Sequence, residues 1–144
     1  MGSSFIDFKE SGFWARDTHI DLWLYLIVQE IDELEAIPDW LREARDHWHE
    51  QATLALVGCV HPQLDDYLLS QDRINLLIRL SERVLKRLDE SGDYLSGEYL
   101  NSLCIGGGGY QPTTNFEIEN FIGVGRKFME LLRGELRTDT STVF

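Results

Sequence analysis

Leu22-Trp23-Leu24-Tyr25-Leu26-Ile27-Val28 (LWLYLIV) is the longest apolar run in the chain, and whether it is a strand or a helix decides the fold. Seven residues suit a central strand, but the pattern continues too far for one. Ile20, Trp23, Leu24, Ile27, Ile31 and Leu34 fall at offsets 0, 3, 4, 7, 11 and 14, one face of a helix. The run adds apolar groups on the flanks, so the helix is expected to be buried on more than one side. Thr18-His19-Ile20-Asp21 has the form of a weak capping box at its start.

The same periodicity recurs outward from this segment. Pro38 suits the first position of a second helix, marked by Trp40, Leu41, Ala44, Trp48, Ala52 and Ala55 and ended by Gly58 to Pro62. A short helix fits residues 63–69. Ser70 can cap a third long helix carrying Ile74, Leu77, Ile78, Val84, Leu85 and Leu88, with Gly92 at its carboxyl cap. Residues 96–104 read as a brief helix. Thr114-Asn115-Phe116-Glu117 reads as a capping box for a last helix through Leu136. Residues 1–16 read as an extended lead-in, with a short edge strand as the alternative. The expected fold is therefore all-α, a helical bundle of four long and two short helices: a single domain over 1–137 and a flexible tail over 138–144.

Composition narrows the function classes. The chain has 144 residues, enough for one core. Hydrophobic content of 43% and charged content of 26% are ordinary for a globular domain. The net charge is −12 and the pI about 4.6, which argues against nucleic acid and against anionic membrane surfaces. No secretory signal pattern is present, and a membrane span needs roughly 20 apolar residues, so the expected location is cytoplasmic. Cys59 and Cys104 form no CxxC pair and read as buried small hydrophobes in a reducing compartment.

Gly106 to Gly109 invite a phosphate-loop reading, but Tyr110-Gln111-Pro112 follow, without the lysine a Walker loop needs. No βαβ unit surrounds them, as a dinucleotide fingerprint requires. The loop reads as a flexible joint, with partner contact through Tyr110 as the alternative. In Asp46-His47-Trp48-His49-Glu50 the two histidines point about 200° apart on a helix and cannot share a metal. Glu43 with His47 and Asp46 with His49 are spaced as one-face pairs. No nucleophile elbow occurs, and no cofactor is implied.

Charge is unevenly placed. Residues 30–50 hold eight acids (Glu30, Asp32, Glu33, Glu35, Asp39, Glu43, Asp46 and Glu50) against Arg42 and Arg45, a net of −6. That is half of the total. A solvated face explains such a run, and so does a docking surface for a basic protein. Trp40 stands among these acids as a candidate anchor. Trp14, Arg16, Asp17 and Trp23 read as core packing with an Arg–Asp pair, or as an aromatic hot spot.

Gly12 to Val28 (GFWARDTHIDLWLYLIV), followed by QEIDELEAIPDW, resembles the small acidic immunity proteins of bacterial toxin systems. The resemblance covers mainly residues 12–40, plus size and charge. It implies a non-enzymatic inhibitor that occludes a cognate toxin, and it carries over no catalytic residues. The expected partner surface is Glu30, Asp32, Glu33, Glu35, Asp39, Trp40, Glu43, Asp46 and Glu50. The alternatives are a metal- or small-ligand-binding helical-bundle enzyme, using Glu43, Asp46, His47 and His49 or a pocket under the glycine loop, and a homo-oligomeric adaptor.

Overall fold

The computed structural model describes residues 2–136 and 139–144, with backbone alone for 139–141. Its elements are β1 (Ser3–Phe8), β2 (Ser11–Arg16), α1 (Asp17–Asp32), α2 (Asp39–Thr53), α3 (Leu64–Tyr67), α4 (Gln71–Asp89), β3 (Tyr94–Ser96), α5 (Gly97–Ser102), a 3-10 turn (Ile105–Gly107), β4 (Asn115–Glu117), α6 (Ile118–Arg133) and β5 (Asp139–Val143). The expected all-α bundle is thus corrected to a mixed α/β fold. A three-stranded sheet ordered β1-β2-β5 and a two-stranded sheet β3-β4 accompany the helices.

The apolar run at residues 22–28 is helical. Ile20, Leu22, Trp23, Leu24, Ile27, Val28 and Ile31 of α1 are all buried. Their wide arc lets α1 pack at once on α2, α4, α6 and β2. Trp23 is fully buried against Phe128, ring centroids 5.7 Å apart. A Cβ at Gly125 would overlap the Trp23 ring, so that glycine is what lets α6 approach α1. The start of α1 differs from expectation. Thr18 lies inside the first turn and Asp21 is buried mid-helix, so the two do not form a capping box. Ser70 does cap α4, its Oγ accepting from Arg73 N.

The lead-in is a hairpin. Ser4, Ile6 and Phe8 of β1 face inward. Phe8 pairs with Ser11 across a two-residue turn whose Lys9 and Glu10 both have positive φ, 49° and 68°. These are the angles a type I′ turn requires, here without the usual Asn-Gly. On the outer face Phe5 stacks edge-on against Trp14 at 5.3 Å and lies over Gly12, where a Cβ has no room.

Three other expectations change. Asn115–Glu117 pairs with Tyr94–Ser96 as β4 with β3, so Thr114 to Glu117 is not a capping box and α6 begins at Ile118 without a side-chain cap. The segment read as a flexible tail supplies β5, parallel to β2. Arg16 N donates to Phe144 O at 2.8 Å and Phe144 N to Trp14 O at 2.9 Å. Arg137 and Thr138, where domain and tail were expected to meet, lie outside the described residues. Cys59 and Cys104 are exposed free thiols, not buried hydrophobes. No described helix is long and apolar enough to cross a membrane.

Candidate functional site: an acidic face and a buried-carboxyl cleft

On α2 the buried residues Leu41, Ala44, Trp48 and Ala52 form one stripe. Asp39, Glu43, Asp46 and Glu50, spaced 4, 3 and 4, form the opposite stripe, and all four are exposed. The spacing that buries one face therefore aims these carboxylates at solvent. Arg42 lies 3.9 Å from Asp39, and Arg45 bridges Asp46 at 3.3 Å and Asp32 at 2.9 Å. Glu35, Glu43 and Glu50 have no ion pair among the described residues.

The α1 end of the acidic segment is different. Glu30 is only 1% exposed and bonded to Arg87 Nε at 2.7 Å; burial raises its pKa, against the pull of Arg87. Glu33 pairs with the same guanidinium at 2.5 Å. Glu30 is thus unavailable to a partner, and α4 neutralises this end through Arg87. The outward acidic face belongs to α2, with Glu35 on the approach to it.

Trp40, half-buried, lies under the Arg73 guanidinium, 4.8 Å from its ring centroid. Arg73 also donates to Tyr67 O at 3.0 Å. Burial, then the charges of Glu43 and Asp66, raise the Tyr67 pKa, which brings both carboxylates to the same neighbourhood. Leu69, 70% exposed, donates its backbone N–H to the same Tyr67 O. One end of the acidic stripe is therefore an aromatic–arginine–leucine cluster with a carboxylate rim.

A second feature sits at the other end of α1. A cleft of about 880 Å³ opens between the amino end of α1, the loop after α2, the glycine turn and α6. Asp17 and Asp21, one helical turn apart, both line it. Asp17 accepts from Ser4 Oγ at 2.6 Å and Gly58 N at 2.8 Å. Asp21 is 3% exposed, and its Oδ1 has no partner among the described residues. Burial, and secondarily the charge of Asp17, push the Asp21 pKa up to about 8, so the carboxyl is mostly neutral at pH 7. Burial lowers the His19 pKa, leaving a neutral imidazole at the rim. Tyr110 donates to Thr18 Oγ1 at 3.0 Å and stacks edge-on with Phe116 at 5.4 Å.

No family model, curated protein or solved structure matches this chain.

The glycine run roofs this cleft. It is a defined turn, correcting the flexible joint: Gly107 N donates to Cys104 O and Gly108 N to Ile105 O, at 3.1 and 2.9 Å. Gly106 has φ +56°, and a Cβ there would sit 2.9 Å from Tyr110 Oη. Gly106→Ala is expected to lower stability by about 1–3 kcal/mol, read by urea denaturation. A loss under about 0.5 kcal/mol would contradict a requirement for glycine here.

The histidines separate as their spacing implies. His47 Nε2 is 2.9 Å from His61 O, whereas His49 packs on Tyr25 of α1. Among the described residues no three His, Cys, Asp or Glu side chains are grouped to hold a metal. Among the described residues Asp17 pairs with no arginine; Ser4 and Gly58 take the place of the expected Arg16–Asp17 pair. Sequence reasoning missed Asp21 as a site residue. Its signal was an acid set inside Ile20, Leu22, Trp23 and Leu24, four residues after another acid.

Proposed function

We propose that this chain is a non-enzymatic, cytoplasmic binding protein, an inhibitor of the toxin-immunity kind. It docks a basic protein on the outer face of α2. The carrying observation is the exposed Asp39, Glu43, Asp46 and Glu50 stripe, which ends at Trp40, Arg73 and Leu69. Carboxylates along one face steer a basic partner, and a half-buried tryptophan under arginine supplies the kind of anchor that dominates interface energetics. The resemblance of residues 12–40 to immunity proteins points the same way. Glu30 is outside this surface, and Asp32 and Glu33 are already paired with Arg45 and Arg87.

The partner is isolated by co-purification with the tagged chain from its native host, and binding is then measured with both components pure. Asp39→Lys, Glu43→Lys and Glu50→Lys together are expected to slow association by about 10- to 1000-fold at low salt, the difference shrinking as salt rises. Unchanged association would reduce the acidic stripe to solvation.

A further inference from the structure

A buried carboxyl with an unpartnered oxygen is costly to keep, and the cleft around Asp21 shows what would offset it. We propose that the cleft beneath the glycine turn binds an organic cation, an alkylammonium or guanidinium group, with Asp21 as its buried counter-ion and Tyr110 and Phe116 as its aromatic wall. This site is separate from the α2 face.

The charged and titratable groups around the cleft favour that sign. Asp17 and Asp21 come from α1 and Glu119 from α6; Arg16, at the end of β2, is the one cation among the described lining residues. His19 is held neutral and Tyr110 protonated by burial. The loop after α2 contributes Ala55, Leu56 and Val57, none of them titratable. Two carboxyls one turn apart, with no third ligating side chain grouped with them among the described residues, offer acceptors for N–H donors rather than a ligand set for a bare metal ion. Tyr110 and Phe116, both lining the cleft, are aromatic rings of the kind that takes a charged head and its alkyl stem. A side chain on Gly106 would crowd Tyr110 Oη and approach Asp21 Oδ2, at 2.9 and 3.4 Å, so the bare turn keeps this corner open.

Binding has a proton balance that a merely structural Asp21 lacks. In the free protein Asp21 is largely the neutral acid at pH 7. When an ammonium or guanidinium enters, the Asp21 O–H bond breaks, the proton passes to buffer, and the carboxylate pairs with the cation. Affinity should therefore rise about tenfold per pH unit below the Asp21 pKa.

The test is titration of the full chain with butylammonium, agmatine, capped lysine amide and capped arginine amide, followed by amide NMR and by calorimetry in buffers of different ionisation enthalpy. The expected result is millimolar or tighter binding with shifts at Asp21, Tyr110 and Gly106, release of about one proton near pH 7, and at least tenfold loss in Asp21→Asn. Binding of the free amines alone assigns the site to a small molecule; equal or tighter binding of the capped amides assigns it to an inserted protein side chain. Either supports the cation site. Absence of binding, preference for butyrate, or equal, pH-independent affinity in Asp21→Asn overturns it. Amide shifts in Asp21→Asn that match the wild type elsewhere verify that the fold is retained.

Discussion

Asp21→Asn makes the protein more stable at about pH 8, by about 2–4 kcal/mol, and flattens its pH dependence. The sign follows from a carboxyl whose folded pKa, about 8, lies above the unfolded value of 3.8. Its favourable contribution is complete below about pH 4 and is lost as pH rises through 8, because the unfolded chain releases the proton and the folded one retains it. Each pH unit in that window removes about 1.4 kcal/mol. The amide has no proton to lose, and burying it costs about 1–2 kcal/mol. The stability gap between variant and wild type should thus widen by about 3–4 kcal/mol between about pH 5 and pH 8, measured by urea denaturation. A constant gap would mean that Asp21 titrates as an ordinary carboxylate. A residue whose neutral isostere stabilises the fold is characteristic of a site kept for binding rather than for packing.

Trp23→Ala has the opposite effect, a loss of about 3–5 kcal/mol and a fall in Tm of about 10–20 °C. Trp23 is fully buried, packs against Phe128, and occupies the room that Gly125 leaves on α6. Truncation opens a cavity between α1 and α6, which a close-packed interior refills only in part. The indole Nε1 has no acceptor among the described residues. Trp23→Phe removes that unpaired donor while keeping an aromatic ring, and should lose under about 1.5 kcal/mol. Equal losses in the two variants would show that volume is not what Trp23 supplies.

The helices were legible because their signals are local. The offsets from Ile20 to Leu34 place α1, and Ser70 caps α4, whereas its carboxyl cap is Glu90 and Gly92, with positive φ, lies two residues beyond. The strands were not. Phe5 and Ile6 are both apolar, which masks the alternation of β1, and Lys9-Glu10 adopts a turn that most chains make with Asn-Gly. β3 and β4 are three residues each and meet across a long separation, and β5 reaches β2 from the far end of the chain. Such pairings leave no local trace. The acidic surface was legible as composition, but only tertiary structure separates exposed Glu43 and Glu50 from Glu30, which is buried under Arg87. Asp21 looked like part of a helix cap, because sequence does not reveal that the glycine turn and Tyr110 fold over it.

Association kinetics between the pure chain and a co-purified protein decide whether the α2 face binds a basic partner. Wild type and the Asp39→Lys, Glu43→Lys, Glu50→Lys variant should be compared across a salt series. A one-to-one complex whose association slows by about 10-fold or more in the variant at low salt, with the two proteins converging at high salt, is the predicted result. No stoichiometric partner, or one that associates equally fast with both proteins at every salt concentration, would contradict it.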